Sequence, residues 1–153
     1  MRSADPLRKR AHGACGFTLI ELLIVVVIAT LLATIAYPAF VAQLHKAPRS
    51  DALAAMVRIE TAQARFRSNH SRYASLSEIG VAETSAAGNY SLKAERNTAD
   101  GYVVIAKAAG AQAGDTACRY LKLDVVRANS SYSSGPDASV ANQGSENRKC
   151  WSL

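Results

Sequence analysis

Reactive side chains are scarce in this 153-residue sequence, which has three His, three Cys and one Trp, with aromatics at 7%. No two Cys stand in C-x-x-C spacing, and no His pair frames a Glu as H-E-x-x-H, so the usual short metal motifs are missing. There is no Gly-rich loop of the phosphate-cradling kind, and the Asp and Glu residues are scattered without calcium-loop spacing. His12, His45 and His70 belong to no nucleophile–His–acid set and read as solvated imidazoles. The expectation is a protein that is not an enzyme, with no cofactor and no metal. Charge and glycine are themselves missing from one long stretch: between Glu21 and His45 there is no charged residue and no Gly, and the only Pro is Pro38.

That stretch dominates the chain. A bilayer core about 30 Å thick takes about 20 apolar residues as a helix, and the run from Leu22 to Leu44 supplies them. Glu21 sits inside its N-terminal edge, where a carboxylate is costly in lipid and therefore needs a task and a partner. Residues 1–16 are polar and basic, with Arg2, Arg8, Lys9 and Arg10 against Asp5. Without them the formal charge of +6 falls to +3, from 14 basic and 11 acidic residues. So mild an excess does not by itself imply a nucleic-acid partner.

The segment Gly16-Phe17-Thr18-Leu19-Ile20-Glu21, with the uncharged helix after it and Pro38 as a kink site, resembles the class III signal and first helix of type IV pilins. The resemblance implies cleavage by a prepilin peptidase between Gly16 and Phe17, methylation of the Phe17 amine, and assembly through Glu21. It also implies a leader over 1–16, a membrane and filament-core helix over 17–45, and a periplasmic globular part over 46–153. Positive charge holds the leader on the cytoplasmic side, so the chain would sit in the inner membrane before entering an extracellular pilus. Cys15 is expected to leave with the leader.

From Phe17 to about Asn69 the pattern predicts one long helix in two halves. The first is apolar all round. The second carries Leu53, Met56, Ile59 and Phe66 at helical spacing as a core stripe. Pro38 should kink the helix and Pro48 should bend the chain near the membrane exit. Ser68–Tyr73 ends it, and Ser75-Leu-Ser-Glu78 reads as a capping box for a short turn. The run RYASLSEIG is similar to the segment after the long helix in PilE-type minor pilins of the type IVa class. Tyr90–Ala94, Gly101–Ala108 and Arg119–Val126 alternate with period two and predict an antiparallel meander, covered by the helix stripe. After Arg127 the chain turns to Asn, Ser, Gly and Pro, with so little apolar surface that only a staple would order it. Cys118 and Cys150 bracket that region. In an oxidising periplasm they are expected to pair, as in the disulfide-bounded region of type IV pilins.

The expected fold class is α+β, a type IV pilin fold of long helix, small sheet and C-terminal disulfide-bounded loop. The preferred function is a structural subunit, a minor pilin, serving twitching, adhesion or DNA uptake. Its partners would be other pilin subunits through the N-terminal helix, the prepilin peptidase and the assembly platform. A competence pilin of the DNA-receptor kind is the alternative. It would use Arg119, Lys122, Arg127, Arg148 and Lys149 on phosphates, with Tyr132 or Trp151 stacking on bases. The modest mature charge ranks that reading second. A type II secretion pseudopilin ranks below both, weakened by the Cys pair.

Overall fold

The computed structural model describes residues 17–98 and 100–151. The leader and the Gly16 side of the expected cleavage site lie outside them. Helix α1 runs from Leu19 to Asn69. At its start the Thr18 hydroxyl accepts the Glu21 N–H at 3.2 Å, which satisfies one of the free donors of the first turn. At its end Ser68 donates to the Arg65 carbonyl at 2.7 Å, and His70 Nδ1 lies 2.9 Å from the Phe66 carbonyl, closing the last turn with side chains. The helix continues through Pro38 and Pro48, so neither ends it.

The chain divides into two compact units, one ending at Pro38 and the other beginning at Ala39. In the first, every described residue is exposed, Leu22 by 61% and Ile35 by 78%, so this surface has no cover among the described residues. The second unit holds the sheet: β1 (Tyr90–Thr98), β2 (Gly101–Ala108), β3 (Tyr120–Val126) and β4 (Asn129–Gly135). They pair antiparallel in sequence order, β1-β2-β3-β4. Short 3-10 turns at Gly110–Gly114 and Thr116–Cys118 link β2 to β3, and helix α2 (Gly144–Trp151) follows β4.

The expected alternation sets the inner face. Leu92, Val104, Leu121 and Leu123 are buried with Ala52, Ala55, Met56 and Ile59 of α1 in one core. Small alanines on the helix let it lie close to the sheet. Phe66, expected in this stripe, is half-buried outside it and stacks on His70 at 3.9 Å. Gln63 takes the buried position instead. Its amide donates to the Ala74 carbonyl at 2.7 Å and accepts the Ala74 N–H at 2.9 Å. Those bonds fasten the loop after α1 and satisfy a side chain that would otherwise be costly to bury. The predicted capping box forms: the Ser75 N–H donates to Glu78 at 2.8 Å and the Glu78 N–H to the Ser75 hydroxyl at 3.4 Å. Arg72 and these Ser75 bonds hold the Glu78 carboxyl at about 2, well below the usual range.

The disulfide Cys118–Cys150 is present, and both residues are buried. The region it brackets is not a loop, which corrects the sequence reading. Asn129–Gly135 forms β4 although its sequence, NSSYSSG, has no apolar alternation. Its order comes from the neighbour: β3 offers a complete ladder, with Leu121 opposite Ser134, Leu123 opposite Tyr132 and Val125 opposite Ser130. Helix α2 then covers the outer edge of β4. Asn147 donates to the Tyr132 carbonyl at 2.8 Å and Trp151 to that of Ser133 at 3.2 Å, while the Asn142 backbone bonds Ser134 at 2.9 Å. The β1 edge is bonded similarly, with the Ser85 N–H donating to Tyr90 at 2.9 Å and the Leu92 N–H to Glu83 at 2.7 Å.

Candidate functional site

Two surfaces carry the chemistry, the apolar helix start and the basic side chains of the second unit. In the first unit Thr18-Leu-Ile-Glu21 is the start of a capped helix, with Glu21 in the first turn where the positive helix end favours a carboxylate. Beyond it the helix stays apolar, and every residue from Leu22 to Phe40 is exposed. By length and composition α1 is able to cross a membrane, and so large an exposed apolar face calls for lipid or partner helices.

The five basic residues singled out by sequence do not form one strip. Lys122 projects from the outer sheet face, where cross-strand register places Lys93 opposite Ile105 and Ile105 opposite Lys122. Lys107 lies on the same face opposite Ser91 and Tyr120, with its ammonium 5.7 Å from the Tyr120 ring centre. Lys93 pairs with Glu95, and Lys122 with Asp124 at 3.6 Å, so this face is basic with two local counter-charges. Arg119 is half-buried at the other end of β3 from Arg127 and donates to the Ala113 carbonyl at 3.2 Å. Arg127 occupies the β3–β4 turn, at the far end of a strand about 23 Å long. Arg148 and Lys149 are in the last turn of α2. Trp151, expected to be available to stack on bases, is 5% exposed and meets Tyr132 edge-on at 4.9 Å, so only Tyr132 keeps an open surface.

Sequence reasoning missed Lys93 and Lys107 as companions of Lys122, because only strand register brings them together. It also missed Lys46 and Arg49, which share a groove with Arg148 and Lys149. Arg49 grips Asp115 through two bonds of 2.7 and 2.9 Å and donates to the Lys149 carbonyl at 3.0 Å, tying α1, the β2–β3 connection and α2 together. Around the same connection Gln112 donates to Tyr90 Oη at 3.1 Å and to the His45 carbonyl at 3.0 Å. Asp51 fixes the loop before β1. Burial opposes its charge, but hydrogen bonds from Ser85 at 2.6 Å, Ala87 and Asn89 outweigh it and hold the carboxyl below its usual range. These groups position the scaffold, and their partners are all within the chain.

Residues 38–122 match the family model described as type IV minor pilin ComP, DNA uptake sequence receptor. Residues 12–37 match the prokaryotic N-terminal methylation motif. No curated protein matches the chain.

Proposed function

With more than half of its residues under the first of those models, the chain belongs to the family of the type IV minor pilin ComP, and from that premise we propose that it works as a minor subunit of a type IV pilus. The observation that carries this is the joint occurrence of the methylation motif and an uncovered apolar helix that begins at Thr18–Glu21. In this reading a peptidase at the cytoplasmic face removes 1–16, Phe17 is methylated, and the apolar half of α1 holds the chain in the inner membrane. It then moves into the filament beside other pilin helices. The subunit is structural and not an enzyme.

Processing tests it. A side chain at Gly16 obstructs access to the scissile bond, so Gly16→Val should accumulate with residues 1–16 attached. Mass spectrometry of the wild type should find its N-terminus at methylated Phe17. An intact leader on wild-type protein in purified pili would end the proposal.

A second reading is favoured by one specific observation: the matched family is described as a DNA uptake sequence receptor. Carried to this chain, that reading assigns duplex contact to the outer sheet face. Lys107 and Lys93 lie within the matched span, Lys122 at its last residue, and Tyr120 stands directly opposite Lys107 on the same face. Each neutralised phosphate contributes about 0.9 to the slope of log affinity against log salt. The full-length protein in detergent should therefore bind duplex DNA with a steep slope. Changing Lys93, Lys107 and Lys122 to Gln should reduce its magnitude by about 2–3. Fluorescence anisotropy across a salt series reads this, and a slope unchanged in the triple variant would remove the sheet face from the DNA reading.

A further inference from the structure

A groove of about 640 Å³ separates the 42–49 part of α1 from α2. Lys46, Arg148 and Lys149 line it, all exposed, and none of the three has an ion-pair partner among the described residues. Glu146 is the one acid on its wall. Arg49 also lines it, but its guanidinium is already held by Asp115. The excess of positive charge is therefore unspent, and the disulfide at Cys118–Cys150 fixes α2 beside the groove.

The level of the groove along α1 matters as much as its charge. Ala42 and Gln43 belong to the charge-free run, and they line the same wall as Arg148 and Lys149. When that run occupies the hydrocarbon core, its last turn meets the headgroup layer, and the α2 cations lie level with it. Cations at that depth meet lipid phosphate, since long basic side chains reach from apolar surface to the headgroups. We propose that this groove seats an anionic phospholipid headgroup while the subunit waits in the membrane, holding the globular part against the outer leaflet until the chain leaves for the filament. The inference rests on the membrane-anchored reading above. It does not depend on the DNA reading as assigned above to the outer sheet face, and it gives Arg148 and Lys149 to lipid instead of nucleic acid.

The test uses the full chain in zwitterionic detergent micelles, titrated with short-chain phosphatidylglycerol, with phosphatidylcholine and inorganic phosphate as controls. Hydrogen exchange is followed at residues 144–151, which keeps any binding by the leader cations out of the signal. Phosphatidylglycerol should slow exchange there saturably and less so as salt rises, while phosphatidylcholine and free phosphate should not. A basic side chain near an anionic surface contributes about a fivefold gain in affinity. Lys46→Gln should therefore weaken binding about fivefold, and Lys46→Gln with Arg148→Gln and Lys149→Gln on the order of a hundredfold. Peptide mapping that finds Cys118–Cys150 intact certifies that the variants fold. Equal protection by both lipids, protection by free phosphate alone, or an unchanged triple variant would overturn the proposal. Protection of 144–151 by duplex DNA but not by phosphatidylglycerol would overturn it too, and would give the groove to nucleic acid. Loss of membrane anchorage in cells would instead be a failure of the pilin reading, visible without this assay.

Discussion

Replacing Cys118 and Cys150 together by Ala is expected to destabilise the globular part by about 3–4 kcal/mol, the chain-entropy value for a loop of this length. The two residues are 32 positions apart, and the bond closes off β3, β4 and most of α2. Against a whole-domain stability of about 5–15 kcal/mol, that loss is a large fraction. The damage should also be uneven. The inner face of β4 is Ser130, Tyr132 and Ser134, so little apolar burial holds the strand in place. What remains is the β3 ladder and a small hydrogen-bond set, including Ser134 to Asn147 at 2.6 Å and Asn142 to the Ala117 carbonyl at 2.6 Å. Denaturant titration should show a lower midpoint. Hydrogen exchange should show residues 129–151 opening before β1, β2 and the 52–63 stretch of α1. Uniform opening across the sheet would mean that the polar bonds, and not the crosslink, govern this region.

Glu21→Ala is expected to be cleaved and retained in the membrane, yet to be absent from sheared pili. Apolar helices packed in a filament core leave a carboxylate without water, and a partner of opposite charge must offset the loss. The cleavage proposed above would create such a partner in the Phe17 amine. At an effective dielectric of about 20 a contact pair of unit charges at 4 Å gains about 4 kcal/mol. We assign the pairing to the amine of an adjacent subunit, where it also sets the axial register of the incoming chain. The fold adds a second role to separate from this one, because the Glu21 N–H is capped by Thr18 and an acid in the first turn favours the helix start. Glu21→Gln keeps the shape and the helix but loses the charge. Immunoblots of sheared filaments should find both variants missing. Recovery of Glu21→Gln would assign the residue to helix initiation, and incorporation of both would end the pairing hypothesis.

The long helix, its stop and the strand Gly101–Ala108 were legible because each is written in a strong local signal. The capping box was legible for the same reason, since two side chains three apart answer each other's backbone. What escaped was information held by other parts of the chain. Phe66 fits the helical period as well as Met56 does, and only the loop at Ala74 decides that Gln63 is the buried neighbour. Nothing in NSSYSSG announces a strand, because its order comes from the ladder that Tyr120–Val126 offers. The eight residues of α2 are polar except at Cys150 and Trp151, and they form a helix where the disulfide and the β4 edge fix them. Basic residues were visible one by one. Their separation into an outer sheet face and a groove beside α1 required strand register and the position of α2.

For a subunit anchored in a membrane as proposed above, the bonded rims of the sheet matter, because copies confined to a plane meet often. A sheet ending in open backbone groups is a template for another chain to add a strand, and crowding in a plane multiplies such encounters. Here the carbonyls of Tyr132, Ser133 and Ser134 are taken by Asn147, Trp151 and Asn142 on one side, and Tyr90 and Leu92 are taken by the 83–85 segment on the other. The serines of β4 add nothing sticky to that border. Strand-to-strand fusion between copies is thereby discouraged, which keeps the proposed contact through their helices as the route to assembly.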